Sequence, residues 1–340
     1  MENIYDFTLS KLEEYFLSKG EKKFKAVQVF EWLYKHRINS FDDMKNISKN
    51  TILDLKENFV LEPLQLLQKQ EDVDVCKFLF GLSDGNKIEA VLMKHDYGNS
   101  LCVSSQVGCN MGCAFCESGR LKKVRNLKVS EMVLQILQVE KLLGIRISHL
   151  VLMGIGEPFD NYDNVMDFIS IINEPKGIDL GARHITVSTC GIVPKILEFM
   201  NSGKQVNLAI SLHAPNNKIR DSIMRINKVY KIEEVIDAVK KYIDKTNRRV
   251  TFEYILLRGV NDSEECAIEL SKLLRGINCY VNLIPYNETS HIEYKKSDKE
   301  TINKFYDTLK KNHMNVTIRR EFGSKVSAAC GQLRANYEEV

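Results

Sequence analysis

Apolar positions recur in two rhythms along this chain. From residue 101 onward short apolar runs predict strands at 101–105, 147–154, 184–189, 206–212, 250–257, 279–285 and 314–319. Between them, helical periodicity predicts segments at 130–143, 162–173, 192–202, 231–244, 263–274 and 298–312. Ser130 with Glu131 in the first turn starts the first of these, and Gly144 ends it. Such alternation implies a parallel sheet with crossover helices. About six units are too few for a closed eight-stranded barrel, so an open or partial α/β barrel is expected. Its chemistry should lie at the carboxyl ends of the strands. Upstream the rhythm changes: VCKFLFGLSDGNKIEAVLMKH alternates around Ser83-Asp84-Gly85-Asn86, a hairpin signal. Earlier still, Phe30, Trp32, Leu33 and Tyr34 mix with Lys22, Lys23, Lys25, Lys35, His36 and Arg37 in an amphipathic helical pattern with a basic face. The expected organisation is a small helical unit at 1–62, a β-hairpin element at 63–98 and the α/β core at 99–335.

Composition narrows this picture only slightly. With 340 residues and 44% hydrophobic content the chain can bury a sizeable core. A net charge of +3 permits an RNA partner without demanding one. Nine cysteines, an odd number and unevenly spaced, do not read as a secreted disulfide framework. The start, MENIYDFTLSKLEEYF, lacks the pattern of a signal peptide, and no stretch approaches a membrane span. A cytoplasmic protein with reduced thiols and no membrane partner is the expectation.

The chemistry concentrates in Cys109-Asn110-Met111-Gly112-Cys113-Ala114-Phe115-Cys116. Three thiolates on one short loop suit a four-iron cluster with one iron left open to a small molecule, the arrangement that radical chemistry on S-adenosylmethionine needs. Phe115 fits as a packing or stacking residue beside the bound adenosyl group. A zinc site is the alternative, and it requires a fourth ligand, from Cys102 or a distant histidine. Small polar clusters end four later strands: Gly154-Ile155-Gly156-Glu157-Pro158, Ser188-Thr189-Cys190-Gly191, Ser211-Leu212-His213 and Pro285-Tyr286-Asn287. Together with the cysteine loop they outline one pocket. Arg120, Lys122, Lys123, Arg125 and Lys128 follow that loop, and Lys218, Arg220, Arg225 and Lys228 follow Ser211-Leu212-His213. Solvated charge is the ordinary reading of such residues; two basic loops on the active-site face favour a polyanionic substrate. Glu89, inside a strand, belongs by itself on a solvent face. Cys330, among small residues near the C-terminus, reads equally as core filler or as a mobile nucleophile.

The stretches SLCVSSQVGCNMGCAFC, MGIGEPFDN, VSTCGIVP, AISLHAPN, EYILLRGVND, NLIPYN and SAACGQL resemble the RlmN/Cfr family of radical-SAM RNA methyltransferases, over nearly the whole chain. The resemblance implies a radical-SAM (β/α)6 partial TIM barrel with a small N-terminal helical accessory domain that contacts RNA and an adjoining β-hairpin. It implies a [4Fe-4S] cluster on Cys109, Cys113 and Cys116, with S-adenosylmethionine contacts at Gly156, Glu157, Ser188, Ser211, Leu212, His213 and Asn287. Cys330 matches the family's methyl-carrying cysteine, Cys102 its resolving cysteine and Glu89 its general base. The family spends two molecules of S-adenosylmethionine per turnover. One methylates the carrier cysteine; the other yields a radical that activates that methyl group for addition to an adenine ring carbon. The base then removes the ring proton, and a transient disulfide between Cys102 and Cys330 releases the RNA.

By resemblance the substrate is an adenosine of 23S rRNA, methylated at C2, and some members also modify a tRNA adenosine beside the anticodon. A monomer served by a flavodoxin- or ferredoxin-type electron donor is expected. Competing readings are a C8 methyltransferase of the kind that confers antibiotic resistance, a paralogue with another RNA target, and a zinc-stabilised RNA-binding protein. Two positions depart from the family's pattern: Glu117 follows the third cysteine where small residues are usual, and Arg225 replaces a common proline.

Overall fold

The computed structural model describes residues 1–320. Ten strands form one sheet in strict chain order. They are β1 (Gln65–Glu71), β2 (Val75–Gly81), β3 (Lys87–His95), β4 (Gly98–Val103), β5 (His149–Leu152), β6 (Ile185–Thr189), β7 (Asn207–Ser211), β8 (Val250–Leu256), β9 (Cys279–Pro285) and β10 (Val316–Ile318). From β4 to β10 every neighbouring pair is parallel, and β1 to β4 are antiparallel. Helices at Val129–Leu143, Tyr162–Asn173, Val193–Met200, Ile232–Thr246, Glu264–Leu273 and Lys299–Lys311 carry the chain from each parallel strand to the next. Six βα units and a closing strand result, as the apolar rhythm predicts. In the Ile232–Thr246 helix the inward stripe is Ile232, Val235, Ile236, Val239 and Tyr242, spaced to lie on one face.

The sheet curls. Val75, Cys102, Ser188, Ser211, Glu253, Ile284 and Arg319, drawn from strands across its width, line one cavity. This is the open, partial α/β barrel that the apolar rhythm predicts. Arg320 at the end of β10 meets Asp74, just before β2, at 3.0 Å. That contact reaches from one side of the curl to the other.

The N-terminal unit is helical, at Leu9–Ser18, Phe24–Glu31 and Lys49–Asn58. Its Leu12, Phe16, Phe30 and Tyr34 belong to the same apolar core as the barrel helices. Asp6 accepts from the backbone of Ser130 at 2.8 Å and Arg37 pairs with buried Glu140, so polar contacts fix its seat.

The hairpin stretch holds more than a hairpin. Its two strands, β2 and β3, are joined by a third, β1, and all three extend the barrel's own sheet. The sequence hid β1 because QLLQKQE is the edge strand, mostly polar and half exposed. Every residue of β2 is buried, with Phe78 and Phe80 in the main core and Val75 on the cavity side. Among the described residues no helix is long and apolar enough to cross a membrane.

Phe168, fully buried on the Tyr162–Asn173 helix, tests how far this packing carries stability. Phe168→Ala should lower unfolding free energy by about 3–5 kcal/mol, read by denaturant titration of anaerobically purified protein.

Candidate active site

The cysteine loop leaves the end of β4 and is pinched at its base, where Gln106–Val107 pairs with Arg125–Asn126. Within it, Cys109 N–H donates to the Leu121 carbonyl at 2.9 Å and Gly119 N–H to that of Cys116 at 3.0 Å. Ala114 N–H reaches across to the Ile223 carbonyl at 2.9 Å, tying the loop to the segment after β7. All three cysteines face the cavity, whose volume is about 340 Å³. Burial pushes the Cys109 thiol up to about 12 and raises Cys113 and Cys116 too, with neighbouring sulfurs adding to the rise for Cys109 and Cys113. Three thiolates crowded into such a place require positive charge among them, which is what an iron–sulfur cluster brings. Among the described residues no three His, Cys, Asp or Glu side chains converge as they would round a single metal ion.

Opposite the loop, the strand ends form the wall. Ser104, buried past β4, donates its hydroxyl to the Glu89 carbonyl at 2.6 Å and accepts from Ile155 N–H at 3.1 Å. The Gln135 side-chain amide pairs with both backbone groups of Ser104. Gly154 and Gly156 are spatial requirements: a Cβ on Gly154 would sit 2.5 Å from the Val103 carbonyl oxygen, and one on Gly156, at φ +110°, 2.6 Å from Gln106. Glu157 is buried. Its two carboxylate oxygens accept from Phe159 N–H at 3.0 Å and Cys190 N–H at 2.8 Å, so it braces two strand-end loops as well as bordering the cavity. Ser188 and Ser211 stand 3.4 Å apart on adjacent strands. His213, in the left-handed region at φ +57°, accepts at Nδ1 from Ile255 N–H at 3.1 Å. Burial, then the nearby Arg220 charge, pulls its pKa down to about 3, so the ring is neutral. Phe115 packs edge-on against His213, with centroids 5.0 Å apart. Asn287 lines the cavity and is exposed.

Leu212 differs from its expected role. Its side chain is fully buried in the apolar core, and its N–H and carbonyl are bonded to Glu253 and Arg220. It holds Ser211 and His213 in place but is not among the residues lining the cavity.

The solvent-face reading of Glu89 is overturned. Glu89 is 2% exposed and pairs at 3.6 Å with Lys77, itself fully buried. The alternation signal misled because both faces of this part of the sheet are covered. Cys102 lies opposite Val91 in the neighbouring strand and is a thiol. Burial raises its pKa to about 11, and the Arg319 charge opposes that rise. All cysteines of the described residues are free thiols; Cys330, the expected disulfide partner of Cys102, lies outside the described residues.

Sequence reasoning passed over Glu253 and Arg319. Glu253 is 4% exposed, faces the cavity and accepts from Asn282 at 2.8 Å. Its pKa is raised by burial, against the pull of Arg319. The available signal was a glutamate set in an otherwise apolar strand. The basic loops also sort differently from expectation. Arg220 is fully buried and donates to the carbonyls of Cys190 at 2.6 Å and Leu212 at 3.2 Å, and to Asn227 at 2.9 Å. It is an internal strut, not a rim cation. Arg125 pairs with Asp84 and Glu131, and Lys123 with Asp160. Lys122, Lys128, Lys218, Arg225 and Lys228 are exposed.

Residues 103–270 match the radical SAM superfamily, which agrees with a cysteine loop on the first parallel strand of a partial barrel. Residues 2–61 match the ribosomal RNA large subunit methyltransferase N-terminal domain. The fold and site are thus those of a radical SAM enzyme. The chain is 54% identical to the probable dual-specificity RNA methyltransferase RlmN of Spiroplasma citri, over 100% of this chain and 99% of the relative. It is 57% identical to the protein of the same description from Enterococcus faecalis, over 98% and 96%. A radical SAM methyltransferase of Sphaerobacter thermophilus superposes with a TM-score of 0.92 at 41% identity, covering 98% of this chain and 99% of that one. The chain belongs to the RlmN family of RNA methyltransferases.

Arg220→Met should leave the Cys190 and Leu212 carbonyls without their donor. A stability loss on the order of 3 kcal/mol is expected, read by denaturant titration, with weakened S-adenosylmethionine binding because both carbonyls belong to cavity-lining loops.

Proposed function

We infer that this protein methylates C2 of an adenosine in 23S rRNA, at the family's usual site in the peptidyl transferase region, through a methyl carried on Cys330. Some relatives also act on a tRNA adenosine beside the anticodon, and the same activity is assigned to this chain. The observation that carries the reading is one cavity shared by the cysteine loop and the polar ends of four later strands. Cys109, Cys113 and Cys116 would hold the [4Fe-4S] cluster. Gly156, Glu157, Ser188, Ser211, His213 and Asn287 would receive S-adenosylmethionine, with Leu212 supporting from behind.

Held by Cys109, Cys113 and Cys116, the cluster would supply the one-electron reduction that cleaves one S-adenosylmethionine, and a second S-adenosylmethionine would supply the methyl group. The chain's residues do the rest. A neutral His213, held by Ile255 and flanked by Phe115, offers a flat uncharged surface. Polar methyl transfer to an electron-poor adenine carbon is unfavourable, so the methyl passes first to a sulfur nucleophile. Glu89, level with the carboxyl end of β4, accepts the proton released from the ring. Cys102, giving up its proton, attacks the Cys330 sulfur; the bond from that sulfur to the methylene carbon breaks, the carbon leaves with the electron pair and is protonated to the methyl group of the freed RNA, and a disulfide remains that a cytoplasmic reductant reopens. The high pKa of Cys102 keeps it a thiol at rest, guarding it against premature oxidation. The enzyme acts as a monomer and draws electrons from a flavodoxin- or ferredoxin-type donor.

Mapping methylated adenosines in host RNA with and without the gene tests the substrate: loss of a C2 methyl is expected, a C8 methyl would move the chain to the other branch, and an unchanged map would refute both. Cys102→Ser should leave methylation of Cys330 intact and lower RNA release by about two orders of magnitude or more, since its sulfur attack is the release step. Peptide mass and RNA methyl content read the two effects separately.

A further inference from the structure

Lys77 is fully buried on the same sheet as Glu89, and the mechanism so far gives it no part. Its ammonium nitrogen stands 3.6 Å from the Glu89 carboxylate. The pairing register explains the meeting: Leu79 lies directly opposite Glu89 and Lys77 opposite Val91, so both side chains fall on one face of the β2–β3 ladder. Val91 in turn faces Cys102. Lysine is almost never fully buried without a charge partner.

We propose that Lys77 is a positioning residue for the general base: its ammonium anchors the Glu89 carboxylate and fixes the oxygen that receives the ring proton. This rests on Glu89 being the base. In the step concerned the ring C–H bond breaks, its proton passes to a Glu89 oxygen and its electron pair stays with the ring, while the unpaired electron left by radical addition would return to the oxidised iron–sulfur cluster. Lys77 is not among the residues that line the cavity, so its part in the step is played through Glu89. The charges of Lys77 on β2, Glu89 on β3 and Arg319 past β10 all act on the Cys102 thiol of β4. Of these groups, Lys77 stands within ion-pair distance of the Glu89 carboxylate.

The test uses full-length holoenzyme, S-adenosylmethionine, a chemical reductant and a transcript of the peptidyl transferase hairpin. Four quantities are read: the methyl on Cys330 by peptide mass, 5′-deoxyadenosine yield, protein–RNA adduct surviving denaturation, and released methylated RNA. For Lys77→Met, the first two should stay within about threefold of the parent while release falls by about two orders of magnitude, the scale of a lost general base, and adduct accumulates. Lys77→Arg should restore release to within about tenfold. A purely structural lysine would lower all four together, or none.

Glu89→Gln separates the two readings. Normal release in that variant removes the base and the Lys77 proposal with it. Blocked release there, with normal release in folded Lys77→Met, removes only the Lys77 proposal. Should Lys77→Met not fold, lysine-selective ¹⁵N NMR of the parent protein decides. A protected ammonium resonance that collapses to a neutral amine in Glu89→Gln supports the pair, and a neutral amine in the parent overturns it.

Discussion

The site depends on how one buried hydroxyl is satisfied. Ser104 ends β4 with its side chain between the Glu89 carbonyl and the Ile155 N–H, while its backbone is closed by Gln135. Four groups from three different elements converge on this residue, where water cannot substitute for any of them. Each bond is worth only about 1 kcal/mol net, yet an unmade one would cost the full desolvation of its group. The network therefore has one low-energy arrangement. That arrangement sets the strand bearing Glu89 against the glycine loop, and it fixes where the chain enters the cysteine loop. A similar role falls to Arg220 on the far wall, where a fully buried guanidinium gathers the carbonyls of two strand-end loops.

These struts matter because the cavity is electrostatically unfinished. Its thiols are driven toward their neutral forms by burial, and the Glu253 carboxyl is raised for the same reason. A pocket that disfavours its own anions binds positive charge readily, and both the sulfonium of S-adenosylmethionine and an iron–sulfur cluster bring it. Among the described residues, Arg319 and Arg320 are the lysine or arginine side chains that line the cavity. Arg319 opposes the rise at Cys102 and at Glu253, and Lys77 sits with Glu89. The wall is assembled for visitors that carry the missing charge.

How legible this was in the sequence varied with the physics behind each feature. Elements set by apolar periodicity were readable: β8, β9 and the Tyr162–Asn173 helix fall within a residue of their expected limits. The short Asn217–Ile223 helix and the 3₁₀ turn at Arg225–Lys228 escaped, since seven residues and four carry too little period to register. That Gly156, Glu157, Ser188, Ser211, His213 and Asn287 share one cavity was readable because strand-end position and residue type coincide there. Charge was the least legible. Whether Arg220 or Lys77 meets solvent depends on what tertiary packing lays over it, and a one-dimensional pattern records which residues are polar without recording what covers them.

The two departures from the family's pattern gain a physical meaning in this setting. Glu117 is buried directly after the third cysteine, with His291 at 3.3 Å and Arg120 at 3.1 Å from its carboxylate. It ties the end of the cysteine loop to the segment after β9, which also contributes Tyr286, Asn287 and Thr289 to the cavity. Arg225 lies over the loop from the other side, and a Cβ on Gly112 would come within 3.0 Å of its side chain. One substitution adds an internal tether and the other an exposed cation at the mouth. Neither alters Cys102, Glu89 or the three cysteines. Arg225 alone offers an exposed charge beside the loop, and phosphate contacts fix register while base contacts choose the base, so a cation there bears on how a nucleic acid is seated and not on the reaction itself.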